Sequence, residues 1–322
     1  MPLESIRSLV QTDLTEIDRF ISQELQSDIS FINQLVAYVL TAGGKRIRPL
    51  LVLLAAHAFQ HQKKQHVELA SAIELIHTAT LLHDDVVDSS SLRRGLETAN
   101  SIWGNEASVL VGDFLYSRAF QLIVKLQHLP ILTIFSNATN LIAEGEVLQL
   151  MNCHNPDTSE ISYYDVITRK TAKLFEVATQ TGAALCTDDP DYLAAMQQYG
   201  LNLGIAYQLI DDVLDYSASA EQTGKNMGND LTEGKPTLPL IHALTKSTAA
   251  ETALLRNAIE TGSTTDLTSI VKIIESTGAI EYTANAAKHH ANQAREALTR
   301  IPESPYRDAL HRLAGFVVER RY

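Results

Sequence analysis

Two short runs, "HDDVVD" and "IDDVLD", are the parts of this chain whose residue types and spacing most plainly ask for chemistry. In each, the outer aspartates stand four residues apart: Asp84 with Asp88, and Asp211 with Asp215. On a helix that spacing puts both carboxylates on one face, with Asp85 and Asp212 a fraction of a turn away. Like charges so placed weaken a helix by roughly 0.2–0.5 kcal/mol per pair. Each run also closes a long apolar stretch, which adds a desolvation penalty. A bound cation offsets both effects. Oxygen donors without His or Cys select a hard ion, Mg²⁺ ahead of any transition metal. Neither run has the glycine-turned, alternating ligand spacing of an EF-hand calcium loop. One such motif is commonly a solvated helix end. Two copies, each ending a core-type helix, point instead to several Mg²⁺ ions gathered around a shared polyanion, with diphosphate the obvious candidate.

Basic residues supply the rest of an anion site. "GGKRIRP" sets Lys45 and Arg48 on a glycine loop just ahead of a helix N-terminus, an arrangement suited to phosphate. Arg93 and Arg94 follow the first aspartate run in "SSSLRRG". His77 lies two turns before Asp84 on the same face, roughly 10 Å along the axis; a lone histidine there is more often a core residue. Lys170 and Thr171 fall in mid-helix, and Gln208 lies one turn before Asp211, aimed at the same face. Lys225 and Lys235 sit in "TGKNMGNDLTEGKPT", whose composition suits a lid. Taken singly, each has an ordinary reading as surface charge or core amide. No Ser-His-Asp or Cys-His arrangement calls for a covalent nucleophile.

Helices must position these groups. Apolar residues recur at helical spacing almost everywhere, and alternating strand patterns are hard to find. The periodicity predicts helices over 5–26, 29–41, 49–60, 66–89, 106–127, 130–151, 161–186, 190–217, 237–245, 248–260, 266–276, 279–300 and 304–321. Pro49 and Pro130 stand where first turns begin. No linker, low-complexity tract or fixed-period repeat divides the chain, so the expectation is one large all-α domain over 1–322. Helices 66–89 and 190–217, apolar on more than one face, belong at its centre. With 322 residues and 45% hydrophobic content, the chain can bury a sizeable core. A net charge of -12 speaks against a general nucleic-acid surface. Two cysteines offer neither a disulfide framework nor metal-ligand spacing, which suits the cytoplasm. The first twenty residues carry acids throughout, and no run reaches the ~18–20 apolar residues of a membrane helix. Neither a signal segment nor a transmembrane helix is expected.

Together these motifs resemble the trans-polyprenyl diphosphate synthases: both aspartate runs, the GGKRIRP loop, the Lys-Thr pair and the GK…GKPT loop, in the same order along nearly the whole chain. The stretches "IELIHTATLLHDDVVDSSSLRRG", "ASVLVGDFLYSRAFQL" and "IAEGEVLQLM" extend the likeness toward long-chain members. One departure, serines in "DSSSLRRG" where an acid is expected first, leaves every ligand position intact. The resemblance implies a helical bundle of the isoprenoid synthase type with a central cavity, working as a homodimer. It implies that Asp84, Asp88 and Asp211 chelate several Mg²⁺ ions on an allylic diphosphate, with Asp85, Asp212 and Asp215 as further ligands or orienters. Arg93, Lys170, Thr171, Gln208, Lys225 and Lys235 would hold that diphosphate, and Lys45, Arg48, His77 and Arg94 the diphosphate of isopentenyl diphosphate. Asp84, Asp88, Asp211, Lys170 and Arg93 would carry the catalysis. The allylic carbon–oxygen bond would break, isopentenyl diphosphate would add through its double bond, and loss of a proton would restore an allylic diphosphate for another round.

The resemblance also implies a deep product tunnel. Thr80, Ala79 and Ile76 lie successively further from Asp84 toward the N-terminus of their helix. Short-chain relatives typically carry an aromatic near Ala79, so the floor would fall to Phe120, Leu122 and Ile123 of helix 106–127. Two competing readings have different signatures. A class I terpene cyclase would lack the isopentenyl site and usually the second aspartate run. A non-catalytic partner subunit could lose metal ligands, and this chain keeps all six.

Overall fold

The structure is a computed structural model that describes residues 3–41, 43–61, 64–217 and 227–320. In chain order the helices are α1 (Leu3–Arg7), α2 (Gln11–Glu24), α3 (Ser30–Thr41), α4 (Ile47–Ala58), α5 (Gln65–Val87), α6 (Ala99–Trp103), α7 (Asn105–Lys125) and α8 (Leu129–Asn152). They continue with α9 (Glu160–Ile167), α10 (Lys173–Ala184), α11 (Pro190–Ser217), α12 (Asn229–Thr232), α13 (Leu238–Lys246), α14 (Ala249–Thr261), α15 (Leu267–Ser276), α16 (Ala279–Ala297) and α17 (Pro305–Glu319). Among the described residues the only sheet is a two-residue hairpin, β1 (Leu92–Arg93) and β2 (Leu96–Glu97), antiparallel with Arg93 opposite Leu96.

Local chemistry explains many boundaries. Ser159 accepts from the Ser162 N–H at the start of α9, and Thr248 with Glu251 forms a capping box on α14. The all-helical reading of the periodicity holds. Its resolution does not. The stretch expected as one helix over 5–26 is broken by a 3₁₀ turn at Ser8–Val10, and that over 161–186 by a π turn at Thr168–Ala172. Both retain helical side-chain spacing on either side, so periodicity passes straight through them. The hairpin is too short to show alternation. Its turn residues, Arg94 at φ 54° and Gly95 at φ 78°, give the left-handed pair that a two-residue hairpin loop needs.

The chain groups into two compact units. Unit 1 takes residues 1–136, 177–197 and 299–312; unit 2 takes 137–176, 198–298 and 313–322. Within unit 1, α5 packs against α2, α4 and α7. Its Leu69, Ile73, Leu75, Ile76 and Ala79 are fully buried, in keeping with its all-round apolar pattern. α7 meets the length and composition of a membrane-crossing helix, which the sequence reading did not anticipate, although seven of its residues turn inward. Unit 2 has one apolar cluster around Tyr216, Leu240, Leu255 and Ile274, and another around Tyr163, Leu209 and Leu238.

Two glycines of unit 2 let backbones close around the π turn. A Cβ on Gly145 would lie 2.8 Å from the Lys170 nitrogen, and one on Gly204 only 2.5 Å from Ala172 Cα. Neither neighbour is a flexible side-chain end, so an added methyl must move a helix. Gly204→Ala is therefore expected to destabilise the protein by about 1–3 kcal/mol despite alanine's better helix propensity. Urea unfolding checks this, and a more stable mutant would contradict the packing described.

Candidate active site

Unit 1 carries one of the two ionic constellations. Asp84 and Asp85 lie in the last turn of α5, and Asp88 caps it, its N–H donating to the Asp84 carbonyl at 2.8 Å. Asp84 and Asp88 are half-buried, whereas Asp85 is buried. Asp85 Oδ1 receives both the Nε and the Nη2 of Arg93 at 2.7 Å, so it ties the hairpin to the helix end. Burial pushes the Asp85 carboxyl up from its ordinary range, and the Arg93 bond only partly offsets that shift. Arg94, on the turn, points elsewhere: a Cβ at Gly44 would meet its guanidinium at 2.6 Å. The two adjacent arginines thus serve different neighbourhoods, one the aspartates and the other the glycine loop.

That glycine loop leads into a basic pocket. Arg46, at φ 45° ahead of α4, lines it together with Glu74, His77, Arg93 and Arg94. Lys45 and Arg48 are not among its lining residues, although Arg48 reaches it by donating Nη1–H to His77 Nε2 at 3.1 Å. Arginine cannot accept a hydrogen bond, so His77 must be neutral at Nε2. Burial, reinforced by Arg48, Arg94 and Arg93, drives its pKa well below the usual histidine range, consistent with that bond. Glu74 shares the pocket with Asp85 and Glu97, and burial raises its pKa against the pull of Arg46, Arg48 and Arg94. Arg46 also pairs with Asp18 and Arg93 with Asp85, while Arg94 faces the glycine loop; these guanidinium groups are the donors a phosphate-bearing ligand would use.

Unit 2 carries the other constellation, built around Asp212. This carboxylate is 1% exposed. It accepts from Tyr163 Oη, at 2.5 Å, and from Gln208 Nε2, at 2.8 Å. Gln208 is held in turn by Thr171, whose hydroxyl donates to its Oε1 at 2.9 Å. The π turn presents Thr171 and Lys170 to the same pocket, and Lys170 Nζ lies 2.5 Å from Glu146 Oε2. Asp215 accepts from the backbone N–H groups of Asn229 and Asp230, which pins the start of α12 and brings Asp230 into the pocket. Lys235 lines it as well and pairs with Glu233 at 2.6 Å. Asp211 pairs with Arg320 at 3.0 Å, and that guanidinium stacks 3.9 Å over the Tyr207 ring. Lys225 lies outside the described residues.

Burial, then Asp230, pushes the Asp212 carboxyl well above its ordinary range, with Asp211 adding to the effect. A buried carboxylate with half-buried ones beside it calls for a cation, and their oxygen-only donor set suits Mg²⁺ or Ca²⁺. Sequence reasoning missed Arg46, Glu74, Glu146, Tyr163, Asp230 and Arg320. Arg46 and Asp230 stood inside runs already singled out for their basic and loop character. Tyr163, Glu146 and Arg320 join the site only through tertiary contact. As for the expected tunnel wall, Ile76 and Ala79 are fully buried on α5, and Thr80 donates to the His77 carbonyl at 2.9 Å. On α7, Leu122 and Ile123 are buried, and the half-buried Phe120 ring lies 5.5 Å from Tyr116.

Comparison with known proteins agrees with this chemistry. The family model described as polyprenyl synthetase matches residues 29–276. The octaprenyl diphosphate synthase of Escherichia coli (strain K12) is 49% identical over 321 residues, covering 99% of each chain. The geranyl-diphosphate-specific all-trans-nonaprenyl-diphosphate synthase of Rhodobacter capsulatus is 44% identical, covering 98% of each. Among solved structures, a polyprenyl synthase from Caulobacter crescentus CB15, complexed with calcium and isoprenyl diphosphate, superposes with a TM-score of 0.96. It is 42% identical and covers 100% of this chain and 98% of that one.

The Asp212 environment predicts a pH dependence. Its folded pKa is raised, so the unfolded chain releases this proton first, near the ordinary value of 3.8. Without divalent ions, stability therefore falls as pH climbs above about 4. Asp212→Asn removes that liability and keeps both contacts, because the Tyr163 hydroxyl can turn to accept. The metal-free mutant should melt above the metal-free wild type at pH 7, with the gap closing toward about pH 4. A mutant less stable across that whole range would show that the carboxylate is not strained.

Proposed function

The chain belongs to the polyprenyl synthetase family and is a prenyltransferase; from that premise we propose that it builds octaprenyl diphosphate by Mg²⁺-dependent, head-to-tail addition of isopentenyl diphosphate to a farnesyl diphosphate primer. The observation that supports the mechanism is that unit 2 holds a pocket with the buried Asp212 beside Asp230, and unit 1 holds a pocket lined by Arg46, Arg93 and Arg94. Bound Mg²⁺ supplies positive charge to the departing diphosphate. The protein's own part is to hold and orient. Asp84, Asp88 and Asp211 act as the principal metal ligands, with Asp85, Asp212 and Asp215 orienting or completing the set. Arg93, Lys170, Thr171, Gln208, Lys225 and Lys235 hold the allylic diphosphate, Lys170 and Thr171 doing so from the π turn. Arg94, with Lys45, Arg48 and His77, binds isopentenyl diphosphate; a neutral His77 holds Arg48 in place without adding charge. The allylic carbon–oxygen bond breaks, the double bond of isopentenyl diphosphate attacks that carbon, and a proton leaves the neighbouring carbon. The product is again an allylic diphosphate, five carbons longer.

The same reading makes 1–322 one polyprenyl synthase domain, since the family match runs through segments of both units. It also makes the enzyme a cytoplasmic homodimer that supplies a quinone side chain. Exposed apolar side chains support a partner: Leu110 and Val124 in unit 1, and Val147, Leu150 and Met151 in unit 2. The alternative is a heptaprenyl or nonaprenyl product; a 44% identical relative is a nonaprenyl synthase.

Incubation with isopentenyl and farnesyl diphosphates, followed by mass spectrometry of the dephosphorylated product, tests the reading. An eight-unit chain is expected; a cyclised terpene or no product overturns it. Asp84→Ala and Asp211→Ala should each abolish elongation while leaving the fold intact, and near-normal turnover in either would sink the metal assignment. Ala79→Phe should still turn over but release farnesyl- or geranylgeranyl-length product, since one isoprene unit spans about one helical turn, ~5 Å. Full-length product from that mutant would remove Ala79 from the wall.

A further inference from the structure

At the opposite end of α5 from the aspartates, three ligand-type side chains converge. His57 is in the last turn of α4, His66 in the first turn of α5 and Asp13 in the first turn of α2. His57 Nε2 lies 2.7 Å from Asp13 Oδ2, and His66 Nε2 lies 3.3 Å from Asp13 Oδ1. Each residue offers one ligand atom, and these atoms all lie within 4.8 Å of one another. All three belong to unit 1. From His66 to Asp84 the helix runs roughly 27 Å, so this cluster is distinct from the prenyl-transfer chemistry.

We propose that Asp13, His57 and His66 form a site for one divalent transition-metal ion, Zn²⁺ by donor preference. Two imidazoles and a carboxylate are the donor set that borderline ions take, whereas Mg²⁺ and Ca²⁺ want oxygen alone. Zinc–nitrogen and zinc–oxygen bonds of about 2.0–2.1 Å put tetrahedral ligand atoms about 3.3–3.5 Å apart. The observed spacings of 2.7 and 3.3 Å, to the two oxygens of Asp13, with one ligand atom from each residue inside 4.8 Å, lie close enough that side-chain rotations would bring the three into register. The surroundings hold the rings in place. Tyr306 stacks on His57 at 4.9 Å, and the His57 and His66 rings meet edge to face at 5.0 Å. His66 is 8% exposed, while His57 and Asp13 keep 20% and 24%, which leaves an entry path. His61 packs against His66 at 5.1 Å and contacts Cys186 Sγ at 3.4 Å. Burial holds the Cys186 thiol up at about 11, and its ring contact is His61, outside the His-His-Asp set. The ion fastens α2 to the α4–α5 corner, with water completing the fourth position.

The test uses the full-length enzyme, stripped with EDTA and returned to excess Mg²⁺ so that the carboxylate sites are satisfied. Titration with Co²⁺ should give a visible d–d spectrum with an end point at one equivalent, abolished by added Zn²⁺. His57→Gln, His66→Gln and Asp13→Asn should each weaken Zn²⁺ binding on the order of 100-fold or more, since even losing an outer-shell partner costs 10–100-fold. Prenyl transfer should persist in all three. Failure of the wild type to bind a stoichiometric ion at micromolar concentration would overturn the proposal and leave a hydrogen-bonded trio. Undiminished binding in a folded Asp13→Asn or His66→Gln protein would overturn it too. Both readouts are independent of product length, so they stand apart from the prenyl-transfer reading.

Discussion

A carboxylate removed from water with other carboxylates beside it is the constraint on which unit 2 depends. Asp212 could have been an ordinary helix residue; instead it is enclosed by Tyr163 and Gln208, with Asp211 and Asp230 nearby. Satisfying it fixes Gln208, which fixes Thr171, which requires the π turn to face inward. The π turn can take that position only because Gly204 offers no side chain to Ala172. Asp215 then uses its own carboxylate to anchor the segment bearing Asp230. The strain that remains is electrostatic, and it is the kind a divalent cation relieves on arrival.

Unit 1 instead sets arginines beside its carboxylates. Arg93 neutralises the buried Asp85, Arg46 pairs with Asp18, and Arg46, Arg48 and Arg94 all act on Glu74. His77 stays neutral because a protonated ring could not accept from Arg48, and because three arginines would repel it. The left-handed Arg94–Gly95 turn is what sends two consecutive arginines to separate tasks. A helical continuation would have placed them about 100° apart on one surface, without the hairpin's reach back to the glycine loop.

Much of this was legible in sequence, for a definite reason. Helix identity follows from apolar periodicity, which burial enforces residue by residue along α5 and α11. The aspartates were legible because their spacing is itself the helical face. What escaped were features whose cause lies elsewhere in the chain. The π turn leaves periodicity intact on both sides. Glu74 matters because arginines from a loop and a hairpin surround it. Arg320 reaches Asp211 and Tyr207 across more than a hundred residues of sequence, with no spacing to announce it. Asp13, His57 and His66 likewise form a cluster only once three helices meet.

The central claim is that these crowded carboxylates bind a metal-complexed allylic diphosphate, and calorimetry reads it directly. The ligand is farnesyl diphosphate with sulfur in place of its bridging oxygen, which slows ionisation so that binding alone is measured. In Mg²⁺ the account predicts saturable binding that collapses when EDTA replaces the metal, with Asp212→Asn weakened in Mg²⁺ toward the EDTA level. Equal affinity with and without divalent ions would contradict it.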